Sequence, residues 1–442
     1  MDASLRNHLE FSNPWLLRGG LRESALQRLP SGYVPRALEP AFHDAVGQTR
    51  KAVVVIGPRQ VGKSTLVWRE LAAGRPALYL NAEEARVREW CTSPATFVGQ
   101  AKAVLPEGGV LFLEEAQWLS DAGLFVKGVV DAHSGWTVVV TGSSSFHLAA
   151  RTRESLAGRA LRFQLWPLSL KELAPDAPTN LGHHARREKV LDRLLRVGGY
   201  PDAWSAERPQ SVLAALVDAL VIRDASDRFR IARPDAFRRL MQLVAGQVGD
   251  LVNNSEWASL LGISAPTVNE YTSLLEETHI VRLVRPFAEG RRVELTSTPK
   301  AYFIDLGLRN SLMGGFGPLD VRPDLGKLHE NHVFLALHSE FPEPGGVRYW
   351  RTRSGAEVDF VVQPEPGRLV GVEVKAGPSR GVSRGARSFI DAYQPSEFWV
   401  VHGGDAAESP LGPTRVRFIP YVSLPEAIEG LRPADLGPIP PV

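Results

Sequence analysis

The sequence has very little cysteine and no long apolar run, and each absence excludes certain classes of protein. One cysteine, Cys91, among 442 residues excludes a disulfide framework within the chain and a zinc site with several cysteine ligands. No apolar run approaches the ~20 residues that a membrane helix needs, and the terminus at Met1–Ser4 lacks a signal-peptide pattern. We therefore expect a cytoplasmic protein that makes no use of a membrane.

The chain also lacks an excess of either charge. Its 51 Lys and Arg residues nearly balance 49 Asp and Glu residues, which gives a formal net charge of +2. Any binding of nucleic acid must therefore come from local basic patches. The length leaves room for about three domains.

The most informative segment is an octapeptide of the form G-x-x-x-x-G-K-[ST]. An apolar run at 52–56 precedes it, and a helix-compatible segment that begins with Thr65 follows it. Strand, glycine-rich loop and helix form the context in which this pattern binds nucleoside triphosphate, with the lysine on the β- and γ-phosphates and the serine on Mg²⁺. The predicted ATP-binding residues are those of the octapeptide and the residue after it: Gly57, Pro58, Arg59, Gln60, Val61, Gly62, Lys63, Ser64 and Thr65.

Three further apolar runs, at 77–80, 109–113 and 136–141, are separated by helix-length segments. This alternation predicts a parallel sheet covered on both faces, with ligands beyond the carboxyl ends of the strands. Glu114 and Glu115 lie at one such end: the first is expected to bind Mg²⁺ through water and the second to act as general base. Thr141 or Ser143, at another end, orients the water or senses the γ-phosphate, or else only forms the turn.

Several motifs together resemble a prokaryotic family of AAA-type ATPases with a C-terminal domain of nuclease-like fold. They are Tyr33–Arg36, GPRQVGKST at 57–65, LFLEEAQ at 111–117, TGSSS at 141–145, ESLAGR at 154–159 and PLSLKEL at 167–173. The similarity runs from about residue 33 to 402. One departure is Glu114, where the family usually has Asp; the longer side chain changes the reach to the metal-bound water and is expected to slow hydrolysis.

In related ring ATPases an arginine from a neighbouring subunit stabilises the γ-phosphate in the transition state. The resemblance points to Arg159 for this role, with Arg151 and Arg153 as rivals, and a surface arginine without a catalytic task as the alternative. If Arg159 has the role, hydrolysis requires a homo-oligomer, which we expect to be a ring.

The middle of the chain contains an arginine-rich helical stretch at 184–245, interpreted as a solvated helical face rather than a track for phosphates. Residues 250–303 predict a winged helix-turn-helix: a helix capped by Ser255, a second helix from Ala265 to Thr278 capped by Ser264, and strands at 280–284 and 293–295. The wing either contacts DNA or packs between domains. The DNA-contact candidates are Arg282, Arg285, Arg291 and Arg292.

A hairpin that is symmetric about position 366 would place Asp359 directly opposite Glu373, with Lys375 on the face of Glu373. This order resembles the metal site of the PD-(D/E)XK nuclease fold, and Glu330 matches the acid that the fold adds from its first helix. The resemblance implies Mg²⁺ on Glu330, Asp359 and Glu373, with Lys375 positioning the attacking water. The alternatives are a surface ion-pair cluster, or a nuclease fold retained only for binding or assembly.

We therefore predict an α/β protein: a P-loop AAA-type ATPase domain, then a helical and winged-helix segment, then a PD-(D/E)XK nuclease-like α/β domain. The leading function is an ATP-hydrolysing, oligomeric machine that acts on DNA, with branched or junction DNA as a candidate substrate. The alternatives are an ATP-gated, Mg²⁺-dependent nuclease and a nucleotide-switched regulator that acts through protein partners. The predicted segments are an extension at 1–32, the ATPase at 33–175, a helical linker at 184–248, the winged helix at 249–312, the nuclease-like domain at 320–403 and a Pro-rich, loosely packed tail at 404–442.

Overall fold

The apolar runs of the N-terminal half form a parallel sheet in the computed structural model, which describes residues 3–142, 156–177, 179–221, 231–287 and 298–431. The described chain divides into two units: the first contains the residues up to Trp166 together with Glu277–His279, and the second contains the remainder. No helix within the described residues is long and apolar enough to cross a bilayer.

The sheet of the first unit has the order β2-β3-β4-β1-β5, and all its neighbours pair in parallel. Its strands bury side chains on both faces: Val54 contributes to one hydrophobic cluster, whereas Val53 and Val55 contribute to the other. The prediction of a doubly covered parallel sheet is therefore confirmed. The strands are β1 (Ala52–Ile56), β2 (Ala77–Asn81), β3 (Val110–Glu114), β4 (Thr137–Gly142) and β5 (Ala160–Gln164).

Helices cover both faces of this sheet, and polar side chains cap several of them. The Ser93 side chain accepts a hydrogen bond from the Thr96 backbone, and the Asp121 side chain accepts one from Leu124. A 3₁₀ turn spans Ala116–Trp118. The helices are α1 (Ala3–Ser12), α2 (Trp15–Arg18), α3 (Leu21–Gln27), α4 (Glu39–Gln48), α5 (Lys63–Leu71), α6 (Ala85–Trp90), α7 (Pro94–Ala101) and α8 (Ala122–Asp131).

The N-terminal extension covers the open edge of β2. The Asn13 carboxamide donates to the Tyr79 carbonyl at 3.0 Å and accepts from the Tyr79 backbone N–H at 2.7 Å. The Trp15 indole donates to the Ala77 carbonyl at 2.8 Å, and the Arg28 guanidinium lies 4.4 Å from the Trp68 ring centroid. These contacts satisfy backbone groups that an edge strand leaves unpaired.

The second unit begins with a helical stretch whose arginines make bonds within the fold. Arg238 pairs with Asp218, and Arg239 donates to the Leu260 carbonyl. These bonds agree with the predicted solvated face; Arg223, Arg228 and Arg230 lie outside the described residues. The helices are α9 (Leu170–Leu173), α10 (Leu181–Val197), α11 (Pro201–Ser205), α12 (Pro209–Ala219) and α13 (Pro234–Gly246).

The two helices predicted for the winged module are present, but the first begins earlier than predicted. Its cap is Asn253, which accepts from the Glu256 backbone, and not Ser255, because asparagine caps as well as serine does. The predicted cap at Ser264 is confirmed. An antiparallel hairpin follows whose second strand begins at Lys300; the predicted strand at 293–295 lies outside the described residues. The elements are α14 (Asn254–Leu261), α15 (Ala265–Glu277), β6 (Val281–Val284), β7 (Lys300–Phe303) and α16 (Leu306–Met313).

A six-stranded mixed sheet of order β12-β13-β11-β10-β9-β8 forms the C-terminal part. Helix α17 packs against β10, and α18 packs against β9 and β10. Two short 3₁₀ turns span Leu319–Val321 and Tyr421–Ser423. The elements are α17 (Leu325–Glu340), β8 (Val347–Arg351), β9 (Glu357–Glu365), β10 (Arg368–Lys375), α18 (Arg384–Tyr393), β11 (Glu397–His402), β12 (Ala407–Leu411), β13 (Thr414–Pro420) and α19 (Leu424–Glu429).

The prediction of a loosely packed tail from residue 404 is wrong for residues 407–429. Strand β13 pairs in parallel with β11, and its Val416, Phe418 and Ile419 are buried. Proline misled the prediction: Pro410 lies in β12, at the edge of the sheet, where a missing N–H is tolerated. The apolar positions of β13 are the signal of a strand with a buried face.

The Asp305 carboxylate joins two helix ends in the second unit. Its carboxylate accepts from the backbone N–H of Gly199 at 2.7 Å and of Leu308 at 2.9 Å, so it links the break after α10 to the start of α16. The backbone approaches so closely that a Cβ on Gly198 would lie 2.2 Å from Asp305 Oδ1. Burial raises the pKa of Asp305 to about 6, and the backbone donors oppose that rise.

We expect Asp305→Asn to lower the free energy of unfolding by roughly 2–4 kcal/mol. The reason is that an asparagine has one acceptor oxygen in place of two and turns an NH₂ group toward backbone donors. Denaturant unfolding measures the change, and Asp320→Asn, at an exposed carboxylate, is the matched control. Equal stability of the two variants would contradict the proposed importance of this junction.

Candidate functional site

The phosphate loop follows β1 directly, and glycine is required at both its ends. A Cβ on Gly57 would lie 2.1 Å from the Leu165 carbonyl oxygen, so only glycine permits this approach. Gly62 has a left-handed conformation with φ of 98° and stands at the start of α5. Gln60 is also left-handed, with φ of 61°. Pro58, Arg59 and Val61 complete the turn, which aims backbone N–H groups and a helix N-terminus at one point.

The side chain of Lys63 lies across the loop. Its ammonium is buried and donates to the carbonyls of Gly57 at 3.1 Å and Pro58 at 2.7 Å. It therefore lies over the concave side of the loop that the sequence assigns to phosphates. Ser64 and Thr65 follow in the first turn of α5.

Glu114, the last residue of β3, connects the loop helix to the neighbouring strand. One carboxylate oxygen accepts from the Ser64 hydroxyl, and the other accepts from the Tyr79 hydroxyl at 2.5 Å. Burial, together with the Glu114 charge, raises the pKa of Tyr79. The longer side chain at this position thus reaches both hydroxyls. Hydroxyl and carboxylate oxygens suit Mg²⁺, which takes few protein ligands beside substrate phosphates.

Glu115 and Thr141 lie side by side beyond β3 and β4. Glu115 is left-handed, with φ of 51°, and its backbone N–H points at the Thr141 hydroxyl at 3.4 Å. The Gln117 amide donates to the Glu115 carboxylate. Thr141 is fully buried, and Ser143 lies outside the described residues. A non-glycine residue in this conformation costs about 1–3 kcal/mol, which marks Glu115 as a constrained position at the site.

Arg159 lies at the opposite end of the sheet from the loop of its own chain. Its carbonyl accepts from the Ala52 backbone, at the amino end of β1, whereas the loop follows the carboxyl end. Five strand residues separate these ends by roughly 16 Å. Its guanidinium pairs with Asp131 at 2.7 Å, and both side chains are 43% exposed. Arg159 is therefore accessible from outside this unit. Arg151 and Arg153 lie outside the described residues.

Arg36 is a residue of this site that the sequence did not assign. Its buried guanidinium donates to the Val61 carbonyl at 3.1 Å and to the Trp166 carbonyl, so it ties the loop to the segment that follows β5. In the sequence, Arg36 stands out only as part of the Tyr33–Arg36 motif, and that motif alone does not indicate what the arginine binds. Tyr79 was missed for the same reason, since nothing local in β2 marks its hydroxyl.

In the C-terminal part the predicted hairpin register is confirmed. Val372 pairs with Phe360 in antiparallel register, and the next pair in this register is Glu373 with Asp359. The turn is tighter than the predicted Pro364–Gly367, because β9 extends to Glu365. Asp359 accepts from the Val374 backbone at 2.7 Å. Burial, and next the charge of Glu330, raises the pKa of Asp359 to about 7.

Glu330, Glu357, Asp359 and Glu373 form an acidic cluster in the C-terminal part, and two lysines contact its carboxylates. Lys375 pairs with Glu373 at 2.7 Å, as its shared face predicts. Lys300, which the sequence did not indicate, pairs with Glu357 and lies 3.7 Å from Glu330. Glu330 also accepts from the Tyr302 hydroxyl at 2.6 Å. Burial lowers the pKa of Lys300, but the carboxylates around it produce a net rise.

This arrangement does not fit a divalent ion as it stands. Within the ranges that the structure describes, no group of three or more His, Cys, Asp or Glu side chains is placed to hold a metal. The predicted ligands Glu330, Asp359 and Glu373 instead have partners in Tyr302, Lys300, backbone N–H groups and Lys375. The carboxylates are close together, as predicted, but ammonium groups stand among them.

The predicted DNA-contact arginines differ in placement. Arg282 donates to the His338 ring at 3.3 Å, and burial lowers its pKa, so its position on β6 does not fit a contact with phosphates. Arg285 is exposed, and Arg291 and Arg292 lie outside the described residues. Successive residues of a two-stranded ribbon face alternately solvent and the core, and the sequence did not reveal which face of this ribbon was covered.

Three family models match the chain. Residues 49–174 match the AAA domain, and residues 188–319 and 325–423 each match a domain of unknown function (DUF8612 and DUF4143, respectively). The AAA match covers the sheet, the loop and the acids of the first unit. The nuclease-like and winged-helix assignments have no counterpart among these matches.

Curated relatives extend over most of the chain. An uncharacterised protein of Mycobacterium tuberculosis is 27% identical over 375 residues, which cover 82% of this chain and 80% of the relative. An uncharacterised protein of Methanocaldococcus jannaschii is 24% identical over 339 residues, covering 73% and 74%.

Solved structures give more distant matches. A Walker-type ATPase of Pyrococcus abyssi is 14% identical, with a TM-score of 0.43, over 64% of this chain and 96% of that one. A RuvB variant of Thermotoga maritima is 16% identical, with a TM-score of 0.31, over 57% and 89%. These scores carry no argument about function. The AAA match, together with the parallel sheet and the loop that ends its β1, identifies residues 49–174 as an AAA-type P-loop domain.

Proposed function

We propose that this chain hydrolyses ATP at the Gly57–Ser64 loop as a homo-oligomer and uses that energy to act on DNA. The observation that carries the proposal is the convergence of Lys63, Ser64, Glu114 and Glu115 at the carboxyl ends of two parallel strands. Phosphoryl transfer needs positioned cations and a positioned water more than covalent chemistry, and these residue types supply both.

Each residue has a role that its position supports. Lys63 exchanges its two loop carbonyls for phosphate oxygens and neutralises their charge. Ser64 and Glu114 would hold Mg²⁺, which would supply positive charge to neutralise the phosphates. Glu115, constrained beside Thr141, accepts a proton from the attacking water. Tyr79 and Arg36 are positioning residues for Glu114 and for the loop.

The oligomer is proposed from the place of Arg159. An arginine at the far end of the sheet cannot act on the loop of its own chain, but a half-exposed one can reach the loop of a neighbour. When the Arg159 guanidinium is not in the site of a neighbour, Asp131 neutralises its charge. A head-to-tail contact of this kind generates a ring when its rotation closes.

DNA is proposed as the substrate from the helix pair α14 and α15. Asn269 and Ser273 are exposed on α15 and offer hydrogen-bonding groups, and Arg285 is exposed beyond β6. Glu270, also exposed, opposes binding to phosphates, so an interdomain role for this module is the competing interpretation. Branched DNA remains a candidate through the fold resemblance alone.

An ATP-gated nuclease has less support, because Lys300 and Lys375 occupy the carboxylates that would bind its metal. The geometry favours a C-terminal part that binds or assembles. A nucleotide-switched regulator, in which hydrolysis is slow and protein partners matter most, would not respond to DNA, and an assay can measure that difference.

We expect ATP turnover that rises on addition of single-stranded, duplex or four-way junction DNA. Lys63→Ala should lower turnover by about 100-fold or more, and Glu115→Gln should do the same while ATP binding persists. Phosphate release and fluorescent-nucleotide binding measure the two effects. Lys51→Ala and Glu83→Gln, both exposed, are the matched controls. Turnover that is indifferent to every DNA at low salt would reject the DNA machine and favour the regulator.

Mixing two inactive variants tests the oligomer. Arg159→Ala retains an intact loop, and Lys63→Ala retains an intact arginine, so an equal mixture restores about a quarter of the interfaces if subunits exchange at random. We expect each variant to be inactive alone and the mixture to recover turnover. Asp131→Asn breaks the same ion pair but keeps the arginine, and should stay active. An active Arg159→Ala protein would show that Arg159 is an ordinary surface residue.

A further inference from the structure

Lys300 is a buried lysine whose ammonium stands inside the C-terminal acidic cluster. Its side chain is only 4% exposed. An ammonium so far from water must be compensated by charge and hydrogen bonds. Glu357 binds it directly, Glu330 lies 3.7 Å away, and the Tyr349 ring centroid is 5.4 Å from its Nζ.

The cluster has more negative than positive groups. Four carboxylates belong to it, and two lysines, of which only Lys300 is buried; the Arg351 guanidinium reaches Glu357 from the exposed side at 3.4 Å. The carboxylates come from α17, β9 and β10, elements that repel one another here unless a cation joins them. The four are Glu330, Glu357, Asp359 and Glu373.

The surrounding backbone closes the position that Lys300 occupies. A Cβ on Gly249 would lie 2.9 Å from Glu330 Oε1, and Leu251 pairs with Lys300 in an isolated β-bridge. Tyr302, two residues along β7, donates its hydroxyl to Glu330 from the same strand face. Strand β7 therefore delivers both the cation and a hydrogen-bond donor to the cluster.

We infer that the Lys300 ammonium takes the cation position of this cluster, so that the native cluster is held together without a divalent metal and becomes a divalent-cation site only when the ammonium is removed. The inference concerns the second unit alone and does not depend on ATP hydrolysis. It assigns the C-terminal part to binding or assembly rather than to metal-dependent cleavage, since a metal would have to displace a buried, paired ammonium.

The test measures Mn²⁺ binding to the full-length, nucleotide-free protein by electron paramagnetic resonance. We expect Lys300→Met to bind one Mn²⁺ per chain at least roughly tenfold more tightly than the wild type. Lys300→Arg keeps the charge and should gain nothing. Adding Asp359→Asn to Lys300→Met should remove the gained ion. Lys327→Met is the matched control, because its lysine also pairs with a carboxylate, Asp250, but at a more exposed site.

If Lys300→Met does not fold, Mn²⁺ binding to the wild type alone tests the inference. Mn²⁺ should leave the unfolding temperature of the wild type unchanged, since a ligand stabilises only the state that binds it. A folded Lys300→Met protein should instead be stabilised by Mn²⁺. Wild-type protein that binds Mn²⁺ and loses it on Asp359→Asn would overturn the inference. Because no nucleotide is present, that outcome would leave the proposed ATPase untouched.

Discussion

A buried charge, the Lys300 ammonium, links three parts of the second unit. It lies on β7, helix α17 brings Glu330 to 3.7 Å from it, and β9 brings Glu357 into direct contact with it. Asp359 of β9 adds a third negative charge near the ammonium. Removing any one partner of such a buried pair would leave an uncompensated charge away from water, so the elements that carry the partners depend on one another.

The first unit solves a different electrostatic problem, since its cations must be available to a ligand. Its loop is shaped by backbone contacts, such as the approach of Gly57 to Leu165, and by the Arg36 guanidinium, which donates to the backbone carbonyls of Val61 and Trp166. Lys63 is likewise held by carbonyls, which are weaker partners than carboxylates. A phosphate group can replace them, whereas Lys300 is held by full charges. The two buried ammonium groups therefore differ in their partners: those of Lys63 are neutral carbonyls that a ligand can replace, and those of Lys300 are charged carboxylates.

Local patterns in the sequence were enough to predict much of this. The loop, the strands around it and the polar strand ends follow from β1 and its neighbours, because parallel strands bury both faces and expose their ends. The register of Asp359 with Glu373 followed from the symmetry of a hairpin about its turn. In each case the partners are close in sequence or share a repeating geometry.

What could not be predicted came from distant contacts. Lys300 belongs to a strand 30 residues before Glu330 and 57 before Glu357, and no period relates them. Arg36 and Tyr79 reach partners that are 25 and 35 residues away, respectively. Arg282 alternates along its strand as an exposed residue would, yet helix α17 covers it. Tertiary packing decides such positions, and a single sequence carries no trace of it.

The carboxamide of Asn13 has a wider consequence for assembly. The carboxamide gives the Tyr79 backbone both a donor and an acceptor, as one residue of a sixth strand would do. The hydrogen bonding does not continue as a strand beyond this residue. The sheet of the first unit therefore has no free template at β2 for an extended segment of another chain. Strand addition at this edge would first have to break the bonds between Asn13 and Tyr79.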